Sequence, residues 1–259
     1  MAIDSTLFRA VVPAATFAAG TRIPLAVERG PSVVRDGYGP AILKQFFCVM
    51  NGGLTAHVEI KNSNWVDSTA NILPGFSNVV LSKNSSGIQP GHDCELQVNS
   101  GWEATLVIDE TITTTTACDV IALIDIDYPN VQAVANPKNA QGFPVTNIRQ
   151  DTIAVVAVGA PMIWTTINVD ILKAGSRYLL SGVNFRAAGA NIGFISISSA
   201  AGQKGLERII PVMPSSANNL RYELDYSTPL VKGPFNLNYC GIGTAASVQS
   251  LLELDWVKK

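Results

Sequence analysis

The chain has 259 residues and a formal net charge of −2, and only 15% of its residues are charged against 47% that are hydrophobic. Soluble domains usually carry about 25% charged residues, so this composition favours a protein that covers much of its surface with neighbours, with an extracellular β protein as the alternative. The 18 basic and 20 acidic residues form no basic patch, which argues against direct binding to nucleic acid.

The amino terminus lacks the basic and apolar regions of a secretory signal, and no apolar run reaches the roughly 18 residues that a membrane span needs. We therefore expect synthesis in a cytoplasm, without a membrane span. In the first half, short runs rich in Val, Ile, Thr and aromatic residues alternate with Gly, Pro, Asn and Ser, which predicts strands separated by turns. The predicted strands are 21–27, 42–50, 56–60, 95–98, 104–108 and 120–128, with turns at 51–53 and 90–91 and a weak helix at 77–82.

The second half repeats this pattern. Its best helical candidate is Gln203–Ile210, ended by Pro211, and a turn is expected at 188–191. The predicted strands are 163–169, 178–185, 193–198, 220–224, 235–239 and 248–256. The chain as a whole is therefore expected to be all-β.

An internal similarity indicates how the chain is divided. Residues 119–128 and 247–256 share Val, Leu and Asp at three positions and residues of the same kind at four more. Chance similarity between β-rich segments is the competing explanation. The similarity predicts two tandem β-sandwich, jelly-roll-like domains at 1–130 and 151–259, joined by a linker at 131–150 that is rich in Asn, Gln, Pro and Gly.

Each of the similar segments ends in a pair of acidic residues two positions apart, Asp125 with Asp127 and Glu253 with Asp255. Alternate residues of a strand share one face, so each pair is expected on one face, at a strand end that emerges into water. Two carboxylates with loop carbonyls could also bind Ca²⁺, but no calcium-binding loop motif supplies the remaining oxygens. We therefore predict no metal site.

The search for catalytic residues finds two histidines and no catalytic motif. His57 shares a predicted strand face with Glu59, an arrangement that an exposed sheet face explains. His92 lies in the predicted turn Pro90–Cys94, where histidine, aspartate and cysteine are too close in sequence to converge as base, orienting group and nucleophile. The four cysteines form no CxxC pair, and we expect reduced thiols. No cofactor is predicted, and the chain is not expected to be an enzyme.

Two tryptophans are candidate surface or interface residues. Trp65 and Trp102 lie in polar, loop-like stretches, where an exposed indole could stack on a sugar or pack against a neighbouring subunit. The alternative is that each tryptophan covers the core of its own domain.

The layout resembles that of the double jelly-roll major capsid proteins of tailless, often membrane-containing viruses. The resemblance lies in residues 17–25, which open the first unit, in the two acidic strand ends, and in the connection 129–150. It implies a homotrimer with each jelly roll standing perpendicular to a shell, located in the virion and in contact with other virion proteins. Many members carry a helix within each barrel, and the short helical content here departs from that pattern.

These observations predict a structural virion protein, a capsid shell subunit that assembles through lateral β-sandwich contacts. The alternative is a tandem carbohydrate- or receptor-binding β-sandwich, such as a spike, fibre or adhesin. Assembly into a closed symmetric unit distinguishes the first function from the second, for which we expect monomers that bind glycans.

Overall fold

The computed structural model describes residues 2–51, 54–63, 80–81, 87–130, 148–156, 162–167, 178–187, 193–199, 207–212, 220–223, 235–241 and 249–258. Every regular element in these ranges is a β-strand, which confirms the predicted all-β class. Contacts divide the chain into two compact units, unit 1 from Ile3 to Val131 and unit 2 from Gln132 to Lys259. None of the described segments forms a helix with the length and hydropathy that crossing a membrane requires.

Unit 1 contains ten of the described strands. They are β1 (Ala2–Val12), β2 (Thr16–Phe17), β3 (Arg22–Arg29), β4 (Ala41–Asn51), β5 (Ala56–Asn62), β6 (Val80–Leu81), β7 (Gly87–Val98), β8 (Trp102–Ile108), β9 (Ile112–Thr113) and β10 (Cys118–Tyr128). β2 and β9 form a separate two-stranded ribbon, and the other eight form one sheet in the order β6-β5-β8-β3-β1-β10-β4-β7.

The strand order of unit 1 is that of a jelly roll. The eight sheet strands can be numbered from first to eighth by their position along the chain. In the half β1-β10-β4-β7, the neighbouring strands are then the first, eighth, third and sixth. In the half β3-β8-β5-β6, they are the second, seventh, fourth and fifth. These are the two four-stranded layers of a jelly roll. The antiparallel pairing of β1 with β3 joins the two halves into one continuous sheet.

Unit 2 has the same strand order. Its described strands are β11 (Ile148–Val156), β12 (Thr165–Ile167), β13 (Tyr178–Ala187), β14 (Gly193–Ser199), β15 (Arg208–Val212), β16 (Leu220–Glu223), β17 (Phe235–Gly241) and β18 (Gln249–Lys258). They form two sheets, β11-β18-β13-β16 and β12-β17-β14-β15. These orders again read first, eighth, third, sixth and second, seventh, fourth, fifth.

The similar segments found in the sequence occupy the same position in the two units. β10 and β18 are each the eighth strand, and each pairs with the third strand, β4 or β13. Both pairings contain one bulge, and in both the extra residue lies in the third strand, at Lys44 and at Ser181. The two units therefore share strand order and one local irregularity.

Three predictions of local structure were wrong. β11 begins at Ile148, inside the predicted linker 131–150, and the helix predicted over 203–210 is contradicted at 208–210, where β15 lies. Pro211 belongs to β15, which is the last strand of its sheet, and an edge strand tolerates a residue without an amide donor. The helix predicted at 77–82 is contradicted at 80–81, which form β6, and its other residues lie outside the described ranges.

The turn predicted at Pro90–Gly91 is also wrong, because both residues lie within β7. In the pairing of β7 with β4, Gln89 lies opposite Cys48 and His92 opposite Phe46. Pro90 and Gly91 together therefore face one residue of β4, which is a β-bulge. β7 is the outer strand of the sheet, and bulges at sheet edges are where proline occurs within strands.

The core of unit 1 follows the alternation of its strands. In β5, Ala56, Val58 and Ile60 are at most 1% exposed, as expected for the inward face. β10 differs because side chains on both of its faces are buried from Val120 to Tyr128. Its run of apolar residues fits burial on both sides, and each fully buried large side chain adds about 1.5–3 kcal/mol of hydrophobic stabilisation.

Candidate functional site

A buried ion pair lies in unit 1 between β1 and the connection from β3 to β4. The carboxyl of Asp4 is fully buried, and Arg35 Nε donates to its Oδ2 at 2.5 Å. The Asp4 Oδ1 atom accepts the backbone amide of Ser5 at 3.1 Å, so both carboxyl oxygens have donors. Burial acts to lower the pKa of Arg35, but the hydrogen bond and negative charge of Asp4 outweigh it, and the pKa is raised.

Tyr128, at the end of β10, completes this cluster. Burial and the negative charge of Asp4 raise the pKa of its phenol to about 12. Its ring meets that of Tyr38 edge to face, with centroids 5.1 Å apart. The phenol therefore stays protonated at physiological pH, and the cluster ties the β3–β4 connection to β1 and β10.

The β3–β4 connection reaches this cluster through a glycine that nothing larger can replace. Gly30 has φ +81°, and a Cβ there would lie 2.0 Å from the carbonyl oxygen of Ser5. The left-handed conformation is accessible to glycine at little cost, and the missing side chain lets the chain pass close to β1. Beyond it, Trp102 N donates to Ser32 O at 2.9 Å, which binds the connection to β8.

Trp102 is not the exposed indole that its polar neighbours suggested. It is the first residue of β8 and is 1% exposed, and its Nε1 donates to Thr6 Oγ1 at 3.1 Å. The Thr6 hydroxyl in turn donates to the carbonyl of Pro31. The indole therefore packs in the interior of unit 1, which corrects the surface prediction at this residue. Trp65 lies outside the described residues.

The acidic end of β10 is also buried, contrary to the prediction that it emerges into water. Asp125 is 5% exposed and accepts the Ser5 hydroxyl at 2.9 Å. Asp127 is 2% exposed, and within the described part of the chain its Oδ1 has no hydrogen-bond partner. Burial raises the pKa of Asp127, and the positive charge of Lys44 offsets part of this effect.

A calcium site at this acidic end finds no support. Among the residues that the structure describes, no three His, Cys, Asp or Glu side chains are grouped so that they could hold a metal ion. The second acidic pair, Glu253 and Asp255, lies in β18, which pairs with β11 on one side and β13 on the other. These two residues therefore lie in an interior strand, not at the edge of the sheet.

His57 belongs to a network of polar contacts on the outward face of β5. Its Nδ1 lies 2.6 Å from Asp109 Oδ1, and its Nε2 lies 3.3 Å from Glu59 Oε1. The other carboxylate oxygen of Glu59 pairs with the Arg22 guanidinium from β3. Both ring nitrogens already have partners within unit 1, so the arrangement serves to link β5 with β3 and with the β8–β9 connection.

Glu59 lies on the face of β5 that was predicted to be exposed, and for this residue the prediction is wrong. It alternates with the buried Val58 and Ile60 as predicted, but it is itself only 6% exposed because Arg22 and His57 cover it. His92, the second candidate, lies in β7 opposite Phe46 rather than in a turn. Cys48, Cys118 and Cys240 are buried.

Sequence reasoning missed the Asp4–Arg35 pair. The alternation typical of a strand was present in residues 2–12. Phe8 and Val12 lie at even positions, on the same strand face as Asp4 and Thr6. The polar residues Asp4, Ser5 and Thr6 conceal this strand, although all three are fully buried. Their partners lie up to 120 positions away, so no local pattern indicates that they are satisfied.

Comparisons with known proteins give only distant structural neighbours. No protein-family model matches the chain, and a search of curated proteins gave no significant match. Among solved structures, PBSX exported protein XepA aligns at 10% identity and TM-score 0.27, over 95% of this chain and 86% of that one. The T=1 Penaeus vannamei nodavirus structure aligns at 12% identity and TM-score 0.22, over 99% and 98%.

The VP2 subviral particle of infectious bursal disease virus aligns at 11% identity and TM-score 0.24, over 98% of this chain and 71% of that one. Capsid proteins are therefore among the structural neighbours. At these TM-scores the neighbours assign neither the fold nor the function of this chain.

Proposed function

We propose that this chain is a structural virion protein, a capsid shell subunit that assembles through lateral contacts between its jelly-roll units. The observation that carries this proposal is that one chain contains two units with the same jelly-roll strand order. The shared bulges at Lys44 and Ser181 and the similar eighth strands support an origin of the two units by internal duplication.

The low charge of the chain supports the assembly part of the proposal. With 15% charged residues, a fully exposed surface is weakly solvated, whereas a surface covered by neighbouring copies avoids this cost. Interface cores between subunits are likewise depleted of charged residues. The polar clusters of unit 1 are explained as ties between strands, and we propose that the chain acts by assembly and not by catalysis.

The test is the assembly state of the purified full-length chain. We expect a closed symmetric oligomer, with a trimer of about 82 kDa, three times the 27.5 kDa of the chain, as the proposed unit. Light scattering after size exclusion measures this mass, and electron microscopy shows whether the units tile a shell. Obligate interfaces of this kind bury about 2,000 Å² or more.

A monomer at all concentrations would overturn the proposal. Specific glycan binding by such a monomer, measured on a glycan array, would instead support the tandem carbohydrate- or receptor-binding function. Trp65 is the tryptophan to substitute in that case, and Trp102→Phe is the matched control because Trp102 is buried.

A further inference from the structure

We draw no further inference here: the strongest candidate, the buried carboxyl of Asp127 at the end of β10, whose Oδ1 accepts no hydrogen bond within the part of the chain that the structure describes, carries nothing further because any role beyond an effect on stability would rest on the direction of its pKa alone.

Discussion

Asp4 and Asp127 are both carboxylates buried in unit 1, and they differ in whether the fold supplies donors. Asp4 receives a guanidinium and a backbone amide, so each of its oxygens is satisfied. Asp127 Oδ1 has no partner within the described residues, and burial raises the pKa of its carboxyl. The comparison shows that the effect of a buried charge on stability depends on its hydrogen-bond and ion-pair partners and not on burial alone.

Removing the partner of Asp4 should have the largest effect. Arg35→Met keeps much of the side-chain length but leaves a fully buried carboxylate without its cation. Breaking such a pair from one side costs about 3–5 kcal/mol. Urea denaturation at neutral pH measures the loss, and a variant within about 1 kcal/mol of wild type would contradict the role assigned to Arg35.

The double variant Arg35→Met with Asp4→Asn sharpens this result. If the cost comes from the uncompensated charge, the double variant should be more stable than Arg35→Met alone. Equal stability of the two would mean that Arg35 acts through its packing and not through its charge.

Asp127→Asn should change stability in the opposite direction. Because burial raises the folded-state pKa of Asp127 above the ordinary 3.8, folding favours the protonated form. This preference contributes its full stabilisation at pH values below the ordinary pKa. The contribution is lost as the pH rises through the raised pKa of the folded state. The variant should therefore equal wild type in acid and exceed it at neutral pH, by about 1.4 kcal/mol for each unit by which burial raises the pKa of the carboxyl.

Unfolding curves of both proteins at pH values from acid to neutral measure this difference. Asp125→Asn is the matched control on the same strand, because Asp125 accepts the Ser5 hydroxyl and loses part of that interaction when it is neutralised. A constant difference between Asp127→Asn and wild type at every pH would contradict a titrating carboxyl as its cause.

The two carboxylates also show how far the sequence could predict this protein. Alternation and apolar runs predicted most strands, including β4, β5 and β10, because these carry their signal locally. β1 was missed because it buries Asp4 against Arg35, 31 residues away. The same limit applies to the acidic end of β10. The sequence of a strand does not show which other segments cover its faces, so a solvent-exposed end was predicted where the structure buries it.

An exposed ion pair provides the smallest effect and completes the comparison. Lys61 Nζ on β5 lies 3.6 Å from Glu103 Oε2 on β8, and the Glu103 side chain is 53% exposed. Water screens such a pair, so Glu103→Gln should change the free energy of unfolding by less than about 0.5 kcal/mol. Urea denaturation at low and high salt measures the change. A loss comparable to that of Arg35→Met would contradict the distinction between buried and exposed partners on which the comparison depends.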